Sequence, residues 1–224
     1  MYSSGEFSVY DLILWAEGLA VSLEIFFVSS VIGLFIGCLI GLLRYYRIPV
    51  VGISLITISE FLKNSPVLVQ LFLVYFGIPA ILGIDMTPMQ AAMITLSGNT
   101  AAFIAVIVIS SVEAIDKKQL EAARSFALSE WKILIKIIYP LALATSIPLL
   151  TSLAINQLQV TSLISVIGVV DLTRVGDILN QRTFEPFIVW PIIGITYYIL
   201  AKIITYIGQR LEKKLRIHVL DNRV

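Results

Sequence analysis

Long uncharged apolar runs dominate the chain, and short polar segments separate them. No charged residue occurs between Glu24 and Arg44, from Met86 to Val112, or from Ile137 to Val170. A helix needs roughly 20 apolar residues to cross the hydrocarbon core. On that measure the pattern predicts five crossings, at about 12–43, 50–83, 87–111, 138–160 and 187–209, in one all-α membrane domain covering 1–224. Lys202 lies near enough to the end of the fifth for its ammonium to reach the interface.

Two stretches do not read as plain crossings. Arg47 to Asp85 is too long for one straight span at about 1.5 Å rise per residue. Within it Ser54, Thr57, Glu60 and Lys63 recur at helical spacing, and then Asn64-Ser65-Pro66 interrupts the pattern. Proline disfavours helical conformation in the residue before it. The prediction is a helix with a polar stripe, either interfacial or facing a pore, then a kink and a span from about Pro66. The second stretch follows Pro148 and carries Thr151, Ser152, Asn156, Gln157, Gln159, Thr161 and Ser162. Amides inside a membrane are costly against lipid and face a bundle interior or a cavity. Hydrogen bonding between helices accounts for part of such a set without any solute.

Composition fits this picture. Hydrophobic residues make up 58% and charged residues 14%, where a soluble domain carries about a quarter charged residues. The net charge of +1 directs no field at nucleic acid. Cys38 sits alone in an apolar run and reads as a packing residue. His218 is the one histidine, so no metal site is expected. The chain has no Gly-x-x-x-x-Gly-Lys-Ser/Thr loop and no His-Glu-x-x-His, so hydrolysis of ATP or other enzymatic chemistry is not expected of it. The N-terminus lacks a basic leader, and its apolar run is longer than a signal peptide's, so it reads as a retained span.

Basic residues gather on one side of the predicted crossings. Arg44 and Arg47, then Lys117, Lys118, Arg124, Lys132 and Lys136, then Arg210, Lys213, Lys214, Arg216 and Arg223 share that side; the other side has Arg174 and Arg182. Cytoplasmic connections carry the excess of Lys and Arg. The N-terminus is therefore expected outside and the C-terminus in the cytoplasm.

The connection at 113–139 reads as two short helices. In the first, Leu120 and Ala123 share a face with Phe126 or Ala127. Ser129 is placed to cap the second, with Glu130 in its first turn. Trp131, Leu134, Ile135 and Ile138 then form an apolar stripe ahead of Pro140.

Glu121-Ala122-Ala123-Arg124-Ser125-Phe126-Ala127 followed by Ile138-Tyr139-Pro140 resembles the "EAA" loop of permease subunits in bacterial ATP-binding-cassette importers. Other segments are similar to the polar amino-acid uptake branch of that family, the histidine/glutamine/arginine type: Gly18-Leu19-Ala20-Val21-Ser22-Leu23 with Gly33, Gly37 and Gly41, Lys63-Asn64-Ser65-Pro66 through Phe72, Ala102-Phe103, Gln119-Leu120-Glu121, and Thr161-Ser162-Leu163-Ile164-Ser165-Val166-Ile167. The resemblance runs in order over nearly the whole chain. It implies a type I importer fold and a coupling role for Glu121, Ala122, Ala123 and Ala127 against a separate ATPase that binds ATP and Mg. It also implies an extracytoplasmic solute-binding protein and a second permease chain, set in membrane lipid. Candidates for the solute path are Lys63, Asn64, Gln70, Asn99, Asn156, Gln159, Thr161 and Ser162.

The chain also departs from the family pattern. Ala127 stands at the loop's usual glycine, where positive φ costs alanine roughly 1 kcal/mol more. Val106, Ile109 and Ser110 stand where the branch has Glu, Arg and Gly. Gln159 and Val160 stand where it has Lys-Asp or Lys-x, and Ser152 where it has Asn. These losses of charge point to one half of a heteromeric pair, with a homodimer carrying a less charged solute as the other possibility. A channel or secondary transporter of a small polar solute is the alternative function; the uncharged cores of the third and fourth spans weigh against a proton relay.

Overall fold

The computed structural model describes residues 8–45, 49–126 and 129–221. These form eight helices. They are α1 (Val9–Tyr45), α2 (Pro49–Asn64), α3 (Val67–Leu82), α4 (Pro88–Glu113), α5 (Lys117–Ser125), α6 (Glu130–Ile167), α7 (Leu172–Thr183) and α8 (Pro186–Asp221). By length and composition α1, α4, α6 and α8 can each cross a membrane, and the α2–α3 pair supplies a fifth crossing if counted as one span.

The helices α1 and α4 form the centre of the bundle. Their close approach comes from small residues: Gly33 lies against Ser97 and Thr100, Gly37 against Ala101 and Ile104, and Gly41 against Ala105 and Val108. A Cβ at Gly37 would stand 2.6 Å from the Ala101 carbonyl oxygen. In lipid, helices associate through such packing because the tails offer no hydrophobic driving force between them. Ile25, Leu71, Ala91, Ala92, Leu96, Ile164, Ile167 and Val169 make the main buried cluster. It joins α1, α3, α4 and the last turns of α6 at the end of the bundle far from α5.

The expected kink at Asn64-Ser65-Pro66 is much sharper than a kink. The axis turns by 115° between α2 and α3. The fourth span is also longer than 138–160: α6 is one helix from Glu130, and the polar Thr161–Ile167 segment prolongs it as a 3-10 stretch. Thr161, at the start of that stretch, is fully buried.

Wide π turns interrupt α3 at Leu73–Gly77 and α6 at Leu134–Ile138. Each ends two residues before a proline, Pro79 or Pro140. A proline cannot donate to the carbonyl four residues back and clashes with it. Those carbonyls belong to Tyr75 and Lys136, inside the two widened turns, where the i→i+5 pattern relieves the conflict.

The helix α7 has no counterpart among the predicted elements. Asp171 caps it, accepting the Arg174 backbone N–H at 2.9 Å, and Ser22 on α1 accepts the N–H of Leu172 at 3.0 Å. Leu172, Val175 and Leu179 pack with Val189 and Ile193 of α8 and with Trp15 and Leu19 of α1. The far end of α7 is tied back by an ion pair between Arg182 and the buried Asp11.

Candidate functional site

Three polar assemblies stand out along the bundle. The first is the elbow between α2 and α3. The Gln70 side-chain amide donates to the carbonyl oxygens of Leu62 (2.6 Å) and Ser65 (2.9 Å) and reaches the Ser65 hydroxyl (3.0 Å). Asn99 on α4 donates to the same Leu62 carbonyl (3.2 Å) and to Gln70 Oε1 (3.3 Å). A broken helix leaves carbonyls without helical donors, and inside a membrane these must be satisfied by neighbours. Gln70 and Asn99, both buried, perform that task.

The second assembly is a cleft of about 460 Å³ between α1, α2 and α4, lined by Arg44, Glu60, Lys63, Val106, Ile109, Ser110 and Glu113. Glu60 is its hub. It pairs with Lys63 Nζ at 2.9 Å and lies 3.8 Å from Arg44 Nη1, while its backbone carbonyl accepts the Asn64 side-chain amide at 2.8 Å. The cleft thus holds two cations and two carboxylates, with a neutral side on α4 in the turns just before Glu113. Val106, Ile109 and Ser110, the positions that depart from the family pattern, form that neutral side. Arg44, Glu60 and Glu113 were not among the sequence candidates. The helical spacing of Glu60 with Lys63 was visible, but nothing in the chain marked Arg44 and Glu113 as their neighbours.

The third assembly is on α6. Asn156 and Gln159 are exposed on its surface, and half-buried Ser162 donates to the Gln159 carbonyl at 2.7 Å. Thr161 is fully buried and donates to the Leu158 carbonyl at 2.7 Å. Between these lies Gln157, absent from the sequence candidates, buried and donating to Ser29 Oγ of α1 at 2.9 Å. The path candidates therefore divide. Lys63 lines the cleft and Asn64 bonds to its Glu60; Gln70, Asn99 and Thr161 are enclosed by the protein; Asn156 and Gln159 stay open, with Ser162 half-buried beside them.

At the loop end, Ala123 is buried with Ile115, Ile133 and Ile138, which seats α5 on the start of α6. Arg124 grips Glu130 with two nitrogens, at 2.9 and 3.3 Å, and so ties the end of α5 to the start of α6. Asp116 begins α5 by accepting the Lys118 N–H at 2.9 Å. Ser129 stands at the start of α6 but its hydroxyl makes no capping bond there. Glu121 faces outward, as do Phe126 and Trp131, 80% and 68% exposed. Ala127 lies outside the described residues. Among the described residues no group of His, Cys, Asp and Glu is placed to hold a metal ion.

A bundle of apolar helices with a broken span and a buttressed loop helix fits the architecture that the family resemblance implies. Residues 29–217 match the family model described as "Binding-protein-dependent transport system inner membrane component", and the chain belongs to that family. It is 34% identical to the arginine transport system permease protein ArtQ of Bacillus subtilis (strain 168), over 89% of this chain and 91% of that protein. It is 32% identical to the glutamine transport system permease protein GlnP of Escherichia coli (strain K12), over 90% and 92%. Among solved structures it superposes on a chain of an amino acid ABC transporter crystallised with histidines, with a TM-score of 0.84 and 27% identity, covering 93% of this chain and 99% of that one. The chain is thus a permease subunit of an ABC importer, and hydrolysis of ATP falls to a separate ATPase.

Proposed function

We propose that this chain forms half of the translocation path of an ATP-driven importer of a polar amino acid. The loop end faces the cytoplasm, as the basic residues there favour. An ATPase carrying ATP and Mg docks on α5 around Glu121, and an extracytoplasmic binding protein delivers the solute at the other end. The relatives' transport of arginine and glutamine supports the solute class.

One observation carries this reading. The loop helix α5 is seated on the same continuous α6 that exposes Asn156 and Gln159. About 44 Å of helix separates Glu130 from Gln159 at 1.5 Å per residue. A push on α5 is therefore passed along one continuous helix toward the open amides. The cleft of Arg44, Glu60, Lys63 and Glu113 lies at the cytoplasmic half and supplies the path with paired charges of both signs.

The neutral wall of Val106 and Ile109 favours a partner permease chain that contributes further charge to the path. Reconstitution in proteoliposomes with the ATPase, the binding protein and the second permease tests this. Labelled amino acid should accumulate only with hydrolysable ATP inside. Uptake that persists with an inactive ATPase and follows the membrane potential would overturn the reading in favour of a channel or secondary transporter.

A further inference from the structure

The helix α8 carries two parallel rows of exposed side chains. One row is Ile195, Ile199, Ile203, Ile207 and Leu211. Beside it run Tyr198, Lys202, Tyr206 and Arg210, each one helical turn on, leading to Lys213 and Lys214. The Lys202 ammonium stands 5.4 Å from the Tyr198 ring centre, and the Arg210 guanidinium 5.0 Å from that of Tyr206. Such cations are held by the negative face of the ring. Among the described residues none of these four cations forms an ion pair with a carboxylate. The neighbouring Glu212 is half-buried, away from the rows.

Packing fixes the depth of the rows. Gly208 lies against Thr151 of α6, and the Thr145 hydroxyl of α6 donates to the Ser111 carbonyl of α4 at 3.4 Å, near the loop end of that helix. Since α8 runs antiparallel to α6, Arg210, Lys213 and Lys214 stand near the level of Thr145 and Ser111, at the loop end of α4. On the orientation proposed above, this is the headgroup level of the cytoplasmic leaflet. Lys202, two turns deeper, adds to the same positive field.

A second copy of this chain across a two-fold axis would bring the same cations to this face and be repelled. An anionic phospholipid fits both rows: its phosphate meets Arg210, Lys213 and Lys214, its acyl chains follow the isoleucine row, and Tyr206 sits at the boundary that aromatic residues favour. We propose that this face of α8 is a binding site for an anionic phospholipid of the cytoplasmic leaflet.

Native mass spectrometry of the assembled transporter, released from nanodiscs holding equal amounts of dioleoylphosphatidylglycerol and dioleoylphosphatidylcholine, tests the proposal. The anionic dioleoylphosphatidylglycerol should be retained at least about tenfold more, given the attraction of each basic residue near the surface. The R210Q/K213Q/K214Q variant should bring the ratio close to one, and R210K/K213R/K214R should keep it. If the triple variant fails to assemble, R210Q alone should lower the ratio by about fivefold. Equal retention of the two lipids by the unaltered complex, or a ratio unmoved by loss of the charges, would overturn the proposal. So would efficient disulfide cross-linking of Y206C to a second permease chain in native membranes. None of these results depends on transport, so a failed uptake assay and a failed lipid preference remain separate findings.

Discussion

Asn99 and Gln70 hold the sharpest bend of the chain between them: the Asn99 amide donates to Gln70 Oε1 at 3.3 Å, and both side chains donate to the Leu62 carbonyl. Replacing Gln70 by Leu leaves the Leu62 carbonyl one donor short and removes the amide donor of Ser65. A buried polar group left without its partner costs about 1–3 kcal/mol. Q70L should therefore lower the thermal midpoint of the purified complex clearly. N99L should lower it less, because Gln70 still serves Leu62. Equal midpoints for Q70L and the unaltered protein would show that the elbow does not rest on these bonds.

Much of this arrangement is legible in the residues, and the rest has identifiable reasons for being hidden. Apolar runs mark α1, α4 and α8, and Pro66 marks the break, because both signals are local. The 115° angle is not local: it depends on Asn99, which is distant in sequence from Leu62. For the same reason Gln70 and Asn99 read as path residues, although their amides are spent on the elbow. The helix α7 escaped prediction because its short apolar face, Leu172, Val175 and Leu179, gains meaning only against Trp15 and Val189. The cleft combines residues from three helices, and sequence spacing joins only Glu60 with Lys63.

The α1–α4 seam gives a second prediction. A methyl at Gly37 would meet a backbone carbonyl, which cannot swing aside as a side-chain end can. Overpacking of this kind costs about 1–3 kcal/mol. G37A should destabilise the protein in a thermal assay, whereas G194A on α8, where nothing lies within 4 Å of the added methyl, should leave the midpoint level or raise it slightly, since alanine is the better helix former.

Asp171 makes stability depend on pH. Burial pushes its carboxyl up to about 6 from an ordinary value of 3.8, even though backbone N–H groups favour the charged form. Between these values the folded protein binds more protons than the unfolded chain, so stability falls as pH rises through that window and is level above it. The difference at pH 7 is about 3 kcal/mol. The thermal midpoint should thus fall between pH 5 and pH 7, and D171N, which keeps a capping side chain, should flatten that slope. Identical slopes for the two proteins would remove Asp171 as the cause.

The loop prediction follows from the seating of α5. Ala123 faces the protein while Glu121 faces out, so a change at Glu121 leaves the fold intact and alters only what docks there. Glu121→Lys should reduce transport-coupled ATP hydrolysis by on the order of tenfold, equivalent to about 1.4 kcal/mol at the docking surface. The thermal midpoint of the isolated permease should not move. Normal coupling in E121K would place the ATPase contact elsewhere.

The neutral side of the cleft can be recharged. Val106 and Ile109 stand one helical turn apart on α4, next to Glu60, Lys63 and Arg44. An opposite pair one turn apart on a helix is mildly stabilising, by about 0.2–0.5 kcal/mol, so V106E/I109R should fold and assemble with the ATPase. Its carboxylate and guanidinium would enter a cleft now balanced between two cations and two carboxylates. If this chain leaves charged contacts to a partner permease, the double variant paired only with itself should gain uptake of a charged amino acid that the unaltered chain alone lacks. Labelled arginine and glutamine, measured side by side in the same vesicles, distinguish that gain from a general rise in transport. Strong arginine uptake by the unaltered chain with no second permease would instead show that the neutral wall is no bar to a charged solute.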